Sequence, residues 1–112
     1  MSTQNVFIFW ISPLFYESIA GLLRHPNIKL VGATSDYATI SSEIIKTRPN
    51  AILIENTDKD HIEMVSKYLE KIPWAVKIIL LGFKDNKLNV YQHEQRSMAQ
   101  TEDLVQLIIG EL

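Results

Sequence analysis

The sequence predicts an α/β domain: a mostly parallel sheet held between helices in three layers. Two patterns predict it. Four short runs are largely apolar, "VFIFWI" (6–11), "IKLVGA" (28–33), "AILIE" (51–55) and "VKIILLGF" (76–83). Each is too short for a helix of its own, and a run that is apolar on both faces suits a strand covered twice. Capped, amphipathic helical segments separate the runs. Strands that alternate with helices pair in parallel, because the crossover must return the chain to the same end of the sheet.

The elements follow in order. After the first strand, "SPLFYESIAGLLRH" opens on Ser12, a good N-cap, and Pro13 suits the first helical position because its missing N–H would have no partner there. Leu14, Phe15, Ser18, Ile19, Leu22 and Leu23 recur at helical spacing, and His25-Pro26-Asn27 ends the run. The second strand leads to Ser35-Asp36, which can cap a helix reaching about Thr47. The third strand, between Pro49 and Asn56, ends on Glu55. Residues 59–71 place Ile62, Val65, Tyr68 and Leu69 on one helical face. The fourth strand follows. "TEDLVQLIIGEL" closes the chain as a helix capped by Thr101, with Glu102 and Asp103 in the first turn, where carboxylates suit the dipole.

The stretch between Phe83 and Thr101 breaks the rhythm. It is too short for both a full helix and a strand, so the fourth helix is expected to be shortened or absent. Lys84-Asp85-Asn86 reads as a turn, and Lys87-Leu88-Asn89-Val90 alternates as an edge strand does. A strand reached by so short a turn must pair antiparallel. The last strand is therefore expected to be irregular or antiparallel.

Composition bounds the function. The 112 residues fit one domain, 1–112, and 46% hydrophobic content can furnish a core. A net charge of −2 leaves no basic footprint for nucleic acid. The absence of cysteine removes disulfide, thiolate and Cys-metal chemistry and fits a cytoplasmic setting. No apolar run reaches a membrane span, and the N-terminus lacks the basic region of a signal peptide. His25, His61 and His93 lie far apart and read as solvated. Gly21, Gly32, Gly82 and Gly110 are isolated, so no phosphate-cradling loop is present. No cofactor and no metal site are expected.

"SPLFYESIAGLL…IKLVGATSD…RPNAILIE" resembles a response-regulator receiver domain (CheY-like), nearest to the NarL/FixJ type. The resemblance runs with little gapping from about Val6 to Glu55 and loosely on to Leu112. It implies a flavodoxin-like sheet of order 2-1-3-4-5. It also implies working positions: an acidic pair for Mg²⁺ after strand one, a phosphoryl-accepting Asp ending strand three, a hydroxyl ending strand four and a Lys ending strand five. The physics of that site is charge management, with hard oxygen ligands for Mg²⁺ and cations around phosphoryl oxygens. Here the pair falls on Trp10 and Ile11, the acceptor on Glu55 and the hydroxyl on Gly82, and no lysine follows Lys87. Glu94 or Ser97 stands near the lysine's place. The resemblance is thus to a degenerate receiver, a pseudo-receiver without phosphorylation residues.

Glu55 is expected to be neither catalytic acid nor metal ligand. Two readings stay open: a fixed negative charge that mimics a phosphorylated state, or a carboxylate that faces solvent or accepts a hydrogen bond at a helix N-terminus. The expected function is a non-enzymatic, phosphorylation-independent signalling or assembly module that contacts other proteins, with no nucleic-acid or membrane partner. The alternative is a small-ligand pocket at Trp10, Glu55 and Gly82. A homodimer is also expected. The fourth strand is apolar on both faces, so a missing helix would leave Leu80 open to a second copy, with Leu88, Val90 and Tyr91 adding to the patch.

Overall fold

The computed structural model describes residues 3–56, 63–64, 67, 70–74, 76–84, 87–90, 96–98 and 108–109, with side chains for those up to 82 and for 108–109. The elements are β1 (Gln4–Phe9), α1 (Pro13–Leu22), β2 (Ile28–Thr34), α2 (Tyr37–Thr47), β3 (Ala51–Glu55), β4 (Lys77–Lys84), β5 (Lys87–Val90) and β6 (Arg96–Met98). They form one sheet in the order β2-β1-β3-β4-β5-β6. The first four strands pair in parallel. β5 runs antiparallel to β4, and β6 antiparallel to β5. The expected α/β class, the order 2-1-3-4-5 and the antiparallel turn-back are all present. The short strand β6 was not foreseen. Residues 63, 64, 67, 108 and 109 are helical, while Glu70 and Lys71, expected to end the helix at 59–71, form a turn before Pro73; the remaining residues of the two helices expected at 59–71 and 101–112 lie outside the described residues.

The helices start where their caps dictate. Ser12 is extended (φ −100°, ψ 134°), its hydroxyl accepts from the Phe15 N–H, and Pro13 takes the first turn. Asp36 caps α2 by accepting from the Ala38 N–H at 2.9 Å. α2 ends on Arg48 in the left-handed region (φ 48°), whose N–H reaches the Ile44 carbonyl at 2.8 Å, and Pro49 bars continuation. The Arg48 guanidinium lies 4.3 Å from the Trp74 ring centroid, and the Trp74 indole N–H donates to the Pro49 carbonyl at 2.9 Å. This contact clamps the α2–β3 turn at the amino edge of the sheet, and the sequence carried no sign of it.

Strand alternation divides the core in two. Val6, Ile8, Ala51, Leu53, Ile79 and Leu81 pack with Phe15 and Ile19 of α1, with Leu23 just after it and with Ile108. Phe7, Phe9, Ile52, Ile54 and Leu80 pack with Ile40 and Ile44 of α2. The covered strands are therefore buried on both faces, as their unbroken apolar runs require.

Two glycines behave oppositely. Val6 pairs with Leu30 and Phe7 with Gly32, so Val31 is an extra residue that bulges β2. At Gly32 an added Cβ would sit 2.9 Å from Phe7 Cε2, so the bulge needs a bare backbone there. Gly21, in the last turn of α1, is exposed and has nothing within 4 Å of where its Cβ would stand. Gly21→Ala is expected to raise stability by about 0.5–1 kcal/mol, because alanine loses less backbone entropy in a helix. Urea unfolding measures this; an unchanged midpoint would contradict it.

Candidate functional site at the carboxyl edge of the sheet

The site forms where β1, β3 and β4 end. Phe9 is paired with Ile54, so Glu55 stands one residue beyond, beside the chain as it leaves β1 for α1. Trp10 still donates its N–H to the Thr34 carbonyl at 3.0 Å, and the backbone then turns at Ile11 and Ser12. The half-buried Glu55 side chain reaches into that turn. Its Oε1 accepts from the Ile11 N–H at 2.7 Å and the Ser12 N–H at 2.9 Å, and its Oε2 accepts from the Ser12 hydroxyl at 3.0 Å. The positive end of α1 adds to the attraction. Of the two readings left open for Glu55, the hydrogen bonds at a helix N-terminus are what the structure displays.

Ser12 does two jobs at once, since its oxygen also accepts from the Phe15 N–H. Sequence reasoning saw only the cap. Its second role depends on a residue 43 positions away, and the usable signal was that β1 and β3 are neighbours in the implied strand order.

The other residues read from the sequence divide. Gly82 is buried on β4 and lines the same cleft as Glu55, together with Ser12, Leu14, Phe15 and Asn56; the cleft has a volume of about 230 Å³. The Asn56 N–H is taken by the Leu81 carbonyl at 2.7 Å. Trp10 is not among the cleft-lining residues. Its ring centroid lies 5.7 Å from that of Tyr16, and the half-buried pair packs on the α1-side core. Ile11 gives the site only its N–H, and its side chain is 41% exposed. Leu14, 73% exposed, is another apolar residue at the rim.

Leu80 departs from expectation. It is only 6% exposed and sits in the α2-side core within the single chain. Phe7, Phe9, Ile52 and Ile54 of the sheet and Ile40 and Ile44 of α2 share that cluster, so the Leu80 side chain is spent inside the chain and not offered to a second copy. Leu88 and Val90 lie on β5, opposite Phe83 and Leu81, and Ser97 lies on β6 opposite Asn89. Tyr91, Glu94, His61 and His93 lie outside the described residues. His25 accepts from the Asn27 N–H through Nδ1 at 3.1 Å, as a loop residue with a local role.

The donor set does not suit Mg²⁺. Three hydrogen-bond donors converge on the one carboxylate, and Trp10 and Ile11 supply no oxygen ligand from their side chains. Among the described residues, no group of three His, Cys, Asp or Glu side chains is placed to hold a metal ion. Nor, among them, is any helix long and apolar enough to cross a membrane.

A parallel β2-β1-β3-β4 sheet, helices packed on both faces and an acidic residue ending β3 define a fold: the chain has the architecture of a CheY-like receiver domain. Solved structures carry the same architecture. A crystal structure of a double mutant of the anti-anti-sigma factor PhyR from Bartonella quintana matches with a TM-score of 0.59 at 18% identity, covering 71% of this chain and 34% of that one. The solution structure of the PhyR response-regulator REC domain from Erythrobacter litoralis matches with a TM-score of 0.58 at 21% identity, covering 73% of this chain and 64% of that one. The matched part thus spans about a third of the first protein and just under two thirds of the second. At these identities the likeness is one of fold. No family model matches the sequence, and no curated protein matches it.

Proposed function

We propose that the chain is a phosphorylation-independent pseudo-receiver, a non-enzymatic module that acts in signalling or assembly through protein–protein contact. One observation carries the reading. The carboxylate at the acceptor position is engaged by Ile11 and Ser12, and neither a hydroxyl on residue 82 nor an acidic pair on residues 10 and 11 stands beside it. The fold neighbours support a signalling role, since one is named a response regulator and the other an anti-anti-sigma factor. The cysteine-free composition supports a cytoplasmic setting. Incubation with acetyl phosphate and Mg²⁺ is expected to add no phosphoryl mass to the intact chain. A stoichiometric phosphoryl adduct at Glu55 would overturn the proposal.

Self-association is part of this proposal, carried by β4 and β5 without Leu80. Val76 and Ile78 stay half-buried on the α2 side of β4, and Leu88 and Val90 alternate along the neighbouring strand. Light scattering at tens of micromolar is expected to give a dimer mass, and a monomer mass removes this part. The cleft of about 230 Å³ beside Glu55 supports the alternative, a small-ligand module. A metabolite that raised the melting temperature of the wild type and not of a Gly82→Leu variant would favour that alternative.

A further inference from the structure

We infer that two copies of this chain are anchored to each other through α2, with Ile45 of each entering a hollow on the same face of the other. The inference rests on the self-association reading of β4 and β5 and adds the anchor to it. The hollow has a volume of about 70 Å³ and is walled by Ser41, Ile44 and Ile45 of α2 together with Lys71 and Ile72. A small-molecule pocket measures about 300–1,000 Å³, so this hollow takes the end of a side chain and not a metabolite. Ile44 belongs to the buried α2-side cluster, and Ile72, Val76 and Ile78 all pack against that cluster. The hollow and the two half-buried residues assigned to self-association therefore border one apolar body.

The occupant is argued from the same face. Ile44 is buried, whereas its neighbour Ile45, on the wall of the hollow, is 59% exposed. One surface thus carries both a projecting aliphatic group and a recess of side-chain size beside it. That is the condition for an isologous two-fold contact, in which each copy gives and receives the same group. A two-fold axis through this face sets the two α2 helices antiparallel. With Ile45 of one copy over the hollow of the other, Lys46 of one comes within about one helical turn of Glu43 of the other. Glu70 and Lys71 again place one charge of each sign beside Ile72. A rim balanced in this way complements itself and offers no net charge to an acidic or basic partner. Ala38, Ser41 and Ser42 lead up to Ile45 at helical spacing, and their small side chains let two α2 helices approach closely. A stable contact buries about 800 Å² on each side, so the hollow is the anchor, while α2, about 16 Å long, and the β4 side supply the breadth.

The test is sedimentation velocity of the full chain at tens of micromolar, with far-UV circular dichroism to confirm folding. Ile45→Lys removes the projecting group at an exposed position, so it should keep the wild-type spectrum and sediment as a monomer where the wild type is a dimer. Ser41→Leu fills the hollow from within its own chain, adds no charge, and should raise the dimer dissociation constant by roughly tenfold or more. Leu30→Lys, at an exposed apolar position on β2, should leave the dimer intact. A wild-type dimer that either folded α2 variant leaves unchanged overturns the inference and leaves the β4 and β5 reading standing. A wild-type monomer overturns both. Dissociation by Leu30→Lys to the same extent as by Ile45→Lys overturns the inference too, since any added charge would then suffice. Should Ile45→Lys not fold, Ser41→Leu decides.

Discussion

Replacing Leu80 by Asp is expected to unfold the chain at 25 °C, not to separate two copies of it. The residue is 6% exposed and is packed among Phe7, Phe9, Ile40, Ile44, Ile52 and Ile54, all apolar. An ionised carboxylate there loses its water among these six apolar side chains, and protonating it instead still buries a polar acid. Together with the lost leucine packing, the penalty is about 5 kcal/mol or more, comparable with the whole stability of a domain of this size. Far-UV circular dichroism and a urea melt would show it as loss of the cooperative transition. Ile78→Asp serves as the comparison, since it lies two residues away on the same face but is only half-buried; its penalty should be less than half as large. A Leu80→Asp protein that melted cooperatively within about 1 kcal/mol of wild type would show that this position is open after all.

Gly32→Val should be the next most damaging change, by about 3 kcal/mol, because it overfills a site with no slack. The Cβ alone would stand 2.9 Å from Phe7 Cε2 and 3.1 Å from Cδ2, and the two methyl groups of valine extend from there. Phe7 cannot step aside cheaply: it is fully buried and held between the sheet and α2. The β2 bulge adds to the constraint, since it is what brings Gly32 opposite Phe7. The loss should therefore depend on the ring. In a Phe7→Leu background Gly32→Val should be milder by roughly 1–2 kcal/mol, a coupling expected of residues in direct contact. Strict additivity across that double-mutant cycle would show that the strain lies in the backbone.

Local rules were sufficient for several elements. Ser12 followed by Pro13, and Asp36 followed by a periodic segment, located both helix starts, because a cap depends on atoms within three residues of itself. "AILIE" matched β3 residue for residue, since a run bounded by Pro49 and Asn56 leaves little choice of register. β5 was legible for a similar reason: two residues between Lys84 and Lys87 permit only an antiparallel return. β1 was placed two residues late, at 6–11 where it spans Gln4–Phe9. Trp10 and Ile11 are as apolar as any strand residue, but their backbone is needed for the turn that receives Glu55. β6 escaped notice because three residues with no apolar pattern take their strand conformation from β5 alone.

The sequence by itself determined the α/β class, the two-sided burial of the strands and the loss of receiver chemistry. Each of these depends on residue type: a valine or isoleucine seeks cover wherever it lies, and Trp10, Ile11 and Gly82 lack the groups that ligate metal or present a hydroxyl. Only the tertiary structure decided what Glu55 and Leu80 do. A glutamate at a strand end carries the same charge whether it faces solvent or the start of a helix; the parallel pairing of β1 with β3 is what brings it to Ile11 and Ser12. A leucine on an apolar strand is equally ready to meet α2 or a second chain. It is buried within the chain because it lies on the sheet face that carries Phe7 and Ile52, in one apolar cluster with Ile40 and Ile44 of α2. Composition sets what a side chain can exchange with its surroundings, and topology sets which surroundings it has.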